Sequence, residues 1–267
     1  MRIATWNVNS LPARLPRLLE WLALTEPDVV CLQETKIADD AFPTAELADL
    51  GYESVGHGQG QWNGVAVLSR FGLVDVVRGM PGDPGWPDGS VLEARTVAAT
   101  CGPVRVRSVY VPNGRSPQDP HYEYKLRWLA ALRPVVAAEA SGPLPYAVMG
   151  DFNVAPTDAD VWDPAAFVGA THVTEPERAA VADLVTGGLT DVQPRIVKGQ
   201  PFTYWDYRAG MFHKGMGMRI DLVLANAALA GVVRDAWVDR DARKGKGPSD
   251  HAPVVLDLDL DSAGPVA

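Results

Sequence analysis

The sequence predicts a layered α/β or α+β domain, and three observations carry that prediction. Apolar, often β-branched runs recur from one end of the chain to the other, bounded by Gly, Pro or Asn. Helical periods of large apolar residues fall between some of them. The alternation of the two is too irregular for a doubly wound sheet.

The strand-like runs are Ile3–Trp6, Val29–Leu32, Gly64–Leu68, Val91–Ala99, Val104–Val111, Tyr146–Met149, Ile220–Leu224 and Pro253–Leu260. Leu15, Leu18, Leu19 and Leu22 keep helical spacing after Pro12, and Tyr124, Trp128, Ala131 and Leu132 repeat it. Thr174 and Glu177 form the pattern of a capping box, opening a helix that stops at Gly187 and Gly188. Gly56–Gly64 is glycine-rich but lacks the Lys-Ser/Thr of a P-loop, so it reads as a flexible turn. Alternating carboxylates over Leu256–Asp261 read as a solvated edge strand. No linker, repeat or low-complexity tract divides the chain. Residues 1–261 are therefore expected to form one domain and 262–267 a frayed tail.

With 47% hydrophobic and 21% charged residues over 267 positions, the chain has the composition of a globular protein, not a disordered one. No apolar run approaches the ~20 residues of a membrane span. The first residues start a strand and lack the pattern of a signal peptide. Cys31 and Cys101 sit inside apolar runs and read as buried thiols of a reducing compartment, so a cytoplasmic location is expected. The net charge of −9 argues mildly against nucleic acid, yet Arg195–Lys246 holds ten Lys/Arg against five Asp/Glu. Screening over about 8 Å lets such a stretch hold phosphates on an acidic protein, so it is expected to present a basic face.

The informative feature is where polar residues interrupt the apolar runs. One run ends in Asn7-Val8-Asn9, a second in Gln33-Glu34-Thr35-Lys36, a third in Tyr110-Val111-Pro112-Asn113 and a fourth in Gly150-Asp151-Phe152-Asn153. In two others the polar group comes first: Asp221 before Leu222, and Ser249-Asp250-His251 before Ala252. If all six serve one site, the last two strands run antiparallel to the first four. The set is rich in hard carboxylate and amide oxygens, which suit Mg²⁺ or Mn²⁺. It offers one His for proton work and no cysteine or paired-His ligands for zinc.

These residues resemble the exonuclease III-like abasic-site endonucleases of the endonuclease/exonuclease/phosphatase superfamily. The matching motifs are Trp6-Asn7-Val8-Asn9, Leu32-Gln33-Glu34-Thr35-Lys36, Tyr110–Gly114, Gly150–Pro156, Thr203–Arg208, Arg219-Ile220-Asp221 and Ser249-Asp250-His251, spread over residues 6 to 251 in the family's order. The resemblance implies a deoxyribonuclease I-like, four-layered sandwich of two mixed β-sheets flanked by helices. It implies a Mg²⁺-dependent phosphodiesterase, with Mn²⁺ as substitute, that cleaves 5′ of abasic sites and trims 3′ ends. The partner implied is double-stranded DNA, bound by a monomer with no membrane attachment. Alternatives are a phosphatase or other phosphodiesterase of the superfamily, or a catalytically inactive DNA-binding relative.

The resemblance also assigns residues. Glu34 holds the metal with support from Asn7, Asn9 and Asp250, and Asp151, Asn153 and His251 complete the candidate ligands. Asp151 is general base or leaving-group acid. His251, oriented by Asp221, either binds the scissile phosphate as imidazolium or acts as base. Asn153 orients the nucleophile or donates to the phosphate, and Tyr110 and Asn113 donate to phosphate oxygens. Tyr204, Trp205, Met218 and Ile220 are expected to wall a pocket for a baseless sugar turned out of the duplex. Arg115 and Arg208 are expected to enter the stack or grip the backbone, and Lys36, Lys198, Lys214 and Lys244 to contact phosphates.

Overall fold

The computed structural model describes residues 1–196 and 200–260. The chain opens with β1 (Arg2–Asn7), α1 (Leu11–Thr25), β2 (Val29–Gln33), α2 (Thr44–Ala48), β3 (Glu53–His57) and β4 (Val65–Ser69). It continues with β5 (Val74–Arg78), β6 (Thr96–Cys101), β7 (Val104–Tyr110), α3 (Pro120–Ala140), β8 (Tyr146–Asp151), α4 (Glu175–Thr186) and β9 (Leu189–Asp191). Then follow α5 (Met211–Lys214), β10 (Asp221–Asn226), α6 (Ala227–Ala230), β11 (Val233–Val238) and β12 (Val254–Leu258). The strands form two six-stranded mixed sheets, in the orders β11-β12-β1-β2-β4-β3 and β5-β6-β7-β8-β10-β9.

Period-two alternation explains the layering. In β1, Ile3 points between the sheets, while Ala4 and Trp6 pack against Leu18, Trp21 and Leu22 of α1. In β8, Ala147 and Met149 point between the sheets, while Tyr146 and Val148 meet Trp128, Leu132 and Val181 of α3 and α4. The result is helix, sheet, sheet, helix, as the resemblance implied. The helix signals hold as well. Pro12 lies in the first turn of α1. The Asp119 carboxylate accepts from the His121 N–H at the start of α3. Thr174 and Glu177 cap α4, which stops at Gly187.

Polar groups pin the two sheets together near the site. Gln33 Nε2 donates to Thr5 Oγ1 (2.9 Å) and to Ser108 Oγ (3.0 Å), and Ser108 Oγ donates to the Leu32 carbonyl (3.0 Å). Each member is buried and partnered, so the network fixes β2 against β7 at little desolvation cost. Next to Asp151, Gly150 has φ 149°, and a Cβ there would lie 2.1 Å from the Val109 carbonyl oxygen. Only glycine lets β8 pass β7 that closely.

Three expectations need correction. The run from Val91 does not begin a strand: β6 starts at Thr96, and Val91 and Leu92 are exposed in the proline-rich loop before it. Leu256–Asp261 is not a sheet edge, because β12 lies between β1 and β11, with Leu256 and Leu258 in the core and Asp257 paired to Arg2. β3, β5, β9 and β11 were not foreseen. β5 lies on a sheet edge with all its residues exposed, so no buried face patterned its sequence. Cys31 and Cys101 are buried free thiols, as read. Asp261 and the expected 262–267 tail lie outside the described residues.

Candidate active site

The six strand ends converge. β1 pairs with β2 in parallel and with β12 antiparallel, and β8 pairs with β7 in parallel and with β10 antiparallel. In the second sheet, Asp151 is directly opposite Tyr110 on one side and Asp221 on the other. The antiparallel relation inferred from the sequence therefore holds, and it brings both carboxylates to one edge.

Asn7 bridges the sheets there. Its Nδ2 donates to Glu34 Oε1 (2.8 Å) and to Asp151 Oδ2 (2.9 Å), and its Oδ1 accepts from the Asn9 N–H (3.0 Å). Lys36 Nζ is 2.8 Å from Glu34 Oε2 and 2.7 Å from Asn9 Oδ1, and Asn9 Nδ2 donates to Asp250 Oδ1 (3.0 Å). Burial works to raise the Glu34 pKa, but the Lys36 ammonium and the Asn7 amide outweigh it and hold the carboxyl below its usual range. Asn9, Glu34, Lys36 and Asn153 all have left-handed backbones, with φ between 45° and 52°. Such conformations gather where surrounding structure fixes a functional group.

His251 lies between the two aspartates. Its Nδ1–H donates to Asp221 Oδ2 (2.7 Å), and Nε2 is 3.8 Å from Asp151 Oδ2. Thr203 Oγ1 accepts from the Ile220 and Asp221 N–H groups, Ser249 Oγ accepts from the His251 N–H, and Trp6 Nε1 donates to the His251 carbonyl. Burial works to lower the His251 pKa, yet the Asp221 carboxylate overrides it and pushes it up to about 10. Burial pushes Asp151 up to about 7, against the pull of His251. Burial, reinforced by Glu34, lifts the Tyr110 phenol well above its usual value, so it stays a neutral donor.

Ligand atoms of Glu34, Asp151 and His251 lie within 4.8 Å of one another. The two carboxylates fit a small, hard divalent cation. His251 fits less well, because an imidazolium bound to Asp221 has no lone pair to offer. Asn9 and Asp250 bond each other behind this pair. Asn153 turns its NH₂ to the Val111 carbonyl (3.0 Å) and toward Asp151 Oδ2 (3.3 Å), while its Oδ1 accepts from Asn113 Nδ2 (3.1 Å). It orients neighbours in this arrangement and does not join the carboxylate cluster.

Beside the site lies a cavity of about 330 Å³, lined among others by Tyr204, Met218, Trp162, Phe167 and His172. The Tyr204 ring packs tilted against the His251 ring, centroids 4.9 Å apart, which ties the cavity to the aspartate pair. Trp205 and Ile220, expected as walls, are core residues. Trp205 is 0% exposed against Phe202, Val238 and Ala252, and Ile220 packs with Ala155 and Val161. Alternation along Tyr204-Trp205 sends one ring to the cavity and the other inward. Arg208 lines the cavity but is exposed and forked onto Asp206. Arg115 lies over the Trp86 ring, 3.8 Å from Asp119.

Among its described residues, most cations of the basic stretch are already engaged. Arg195, Arg208, Arg219, Arg234 and Lys244 are paired to aspartates, and Arg240 and Arg243 lie over Phe212. A window of sequence counts the cations but misses partners such as Asp160, Asp191 and Asp259 from outside it. Lys198 lies outside the described residues. The sequence reading also missed Lys125, Glu177 and His172. Their only signal was the capping box that placed Glu177.

The endonuclease/exonuclease/phosphatase family profile matches residues 4–251. The chain is 31% identical to exodeoxyribonuclease III of Haemophilus influenzae, over 95% of this chain and 98% of that one. It superposes with a TM-score of 0.92 on the 3′ phosphatase NExo from Neisseria bound to product DNA hairpin, at 40% identity over 97% and 99% of the two chains. An AP endonuclease from Archaeoglobus fulgidus superposes at 0.90 with 34% identity, over 97% and 100%. With one carboxylate cluster at the joined ends of two mixed sheets and matches that span nearly its whole length, the chain belongs to the endonuclease/exonuclease/phosphatase family, in the branch of exodeoxyribonuclease III and the AP endonucleases.

Proposed function

We propose that the protein is a DNA-repair nuclease that hydrolyses phosphodiesters with Mg²⁺, cutting 5′ of abasic sites and clearing 3′ ends. The observation that carries this reading is Asp151, held between Glu34 and His251 at one buried edge. Glu34 and Asp151 would hold the cation, and their hard oxygens would take Mn²⁺ as well as Mg²⁺. When bound, the cation supplies neutralisation of the charge that develops on the phosphoryl oxygens.

The chain's own groups do the rest. Asp151 accepts the proton of the attacking water as the new P–O bond forms and the P–O3′ bond breaks, and the leaving 3′-oxygen takes its proton from solvent. His251 is kept protonated by Asp221 and donates from Nε2 to a phosphoryl oxygen. Tyr110 donates from a phenol that does not ionise. Asn113 uses one N–H on Asn153 and offers the other to the phosphate. All these groups come from one chain, so a monomer suffices.

The cavity beside His251 supports recognition of a sugar without its base. Tyr204 and Met218 offer apolar surface to the C–H face of a deoxyribose, and a site lacking its base costs least to extrude. The buried free thiols suit a reducing cytoplasm, and no helix among the described residues is long and apolar enough to cross a membrane. A gel assay tests the reading, with and without Mg²⁺, on an abasic duplex and on a 3′-recessed intact duplex. Mg²⁺-dependent incision 5′ of the abasic site and loss of 3′ nucleotides are expected. Equal turnover in EDTA, or turnover of neither DNA, would overturn it.

A further inference from the structure

A second buried charge lies directly behind the site. Lys125, on α3, is 0% exposed, and its ammonium has three partners. Nζ donates to the Asn153 carbonyl (2.6 Å), to the Asn113 carbonyl (3.3 Å) and to Glu177 Oε1 (2.5 Å). An ammonium has three N–H donors, so all are used. Two of the three end on the backbones of the asparagines whose side chains bond each other at the cleft. Glu177, from α4, spends its remaining capacity on the segment that leads into α4. Oε1 accepts from Thr171 Oγ1 (2.6 Å) and the His172 N–H (3.0 Å), and Oε2 accepts from Thr174. The His172 Nδ1–H adds a 2.5 Å bond to the Asn153 carbonyl.

The surroundings are shaped around this group. A Cβ at Gly114 would fall 2.7 Å from Thr171 Oγ1 and 3.1 Å from Lys125 Cδ, so the turn after Asn113 closes over the lysine only without a side chain. Asn153 is left-handed, at φ 52°, and needs an external restraint to keep that backbone. Stability does not explain the pair, because a buried ion pair is often no better than an apolar replacement of equal size. Position does explain it.

We propose that Lys125, braced by Glu177, is a positioning residue that sets the Asn113 and Asn153 side-chain amides for the phosphate. One ammonium spaces two carbonyls from different loops, and the amides inherit that spacing. The inference deepens the proposed nuclease reading and rests on it for its kinetic arm only. A displacement of about 1 Å at such a group can cost ~10²-fold in rate.

The test compares Lys125→Met, which keeps length without charge, with Lys125→Arg, which keeps charge and donors. In Lys125→Met, kcat on abasic duplex is expected to fall ~10²-fold with KM within about threefold, and Lys125→Arg to recover at least tenfold of it. Side-chain amide ¹H–¹⁵N resonances of Asn113 and Asn153 are expected to shift and exchange faster in Lys125→Met. That readout needs no activity, so it separates failure of the clamp from failure of the nuclease reading. Should Lys125→Met not fold, Glu177→Gln, which keeps shape but removes the charge and sets an NH₂ against partners that all donate, is expected to give the same resonance shifts and a kcat loss near tenfold. Unchanged kcat, or unmoved amide resonances in a folded variant, would overturn the proposal.

Discussion

Asp151 and Asp221 face each other as register partners across an antiparallel strand pair, with the His251 ring wedged between them. Burial, helped by the Asp221 charge, raises the Asp151 pKa, and the imidazolium pulls against that rise. Its pull on the two is unequal. Asp221 is 2.7 Å from the ring and Asp151 is 3.8 Å. The nearer aspartate holds the proton on histidine, and the farther one is left with a pKa near 7.

Asp151 therefore trades stability for chemistry. Its folded pKa is raised above the unfolded value, so its contribution to stability is full at acid pH and is lost as pH rises through about 7. Asp151→Asn should melt above the wild type at pH 8 in EDTA, with the gap closing toward pH 5, while nuclease activity disappears. A lower melting temperature at pH 8 would contradict the burial argument.

Asp221→Asn should shift the alkaline limb. The wild-type kcat/KM profile should fall as pH rises through about 10, where His251 loses its proton. Without the Asp221 charge, burial dominates and that limb should move down by at least one pH unit, with a loss on the order of 10²-fold at its optimum. An alkaline limb that stays in place would remove His251 from the phosphate.

Glu34→Gln should expose the cation requirement. It keeps size but loses the anionic ligand, and a rate loss of roughly 10³-fold at low Mg²⁺ is expected, partly recovered by Mn²⁺. Circular dichroism should show an intact fold. Cation titrations that superpose for variant and wild type would place the site elsewhere.

Met218→Ala should enlarge the cavity beside His251. Enlargement admits intact nucleotides, so the ratio of abasic to ordinary cleavage should narrow by roughly 10–200-fold, as apolar pocket changes do. Tyr204→Ala should act in the same direction and also weaken sugar packing. Proportional loss of both activities would make these side chains core packing instead.

Arg219→Met and Asp160→Ala should separate structure from chemistry. Arg219 is 1% exposed and held by both Asp160 and Asp191. Asp160→Ala leaves a buried cation short of a partner, and a loss of about 3 kcal/mol in urea unfolding is expected. Arg219→Met removes the cation and should cost less, because Asp160 keeps its two hydrogen bonds from Thr157 and Asp191 reaches solvent. Equal losses would show that the pairing geometry itself is unimportant.

Most of the site was legible because strands end in full view. A carboxylate or amide that interrupts a β-branched run is visible without knowing what packs on it, and Asn7, Glu34, Asp151, Asp221 and His251 all interrupt in that way. The layering was legible less completely. β12 looked like an edge because its alternating aspartates suggest water, but Arg2 neutralises Asp257 from the neighbouring strand. Lys125 was not legible at all, since a lysine among aromatic residues on an amphipathic helix looks like any solvent-facing cation. Trp205 and Tyr204 carry the same aromatic signal, and only the backbone decides which ring meets the cavity.

The placement of β12 beside β1 has a consequence for synthesis. Asn7 and His251, two parts of one site, lie far apart in the chain, and β1 finds its β12 partner only after Val254–Leu258 have been made. Long-range pairing of this kind is slow to nucleate. A nascent or truncated chain that stops before residue 250 has Glu34 and Asp151 but neither Asp250 nor His251, and it leaves one side of β1 open. The carboxylate, amide and imidazole groups of the hydrolytic centre therefore come together only after the chain has been made through His251.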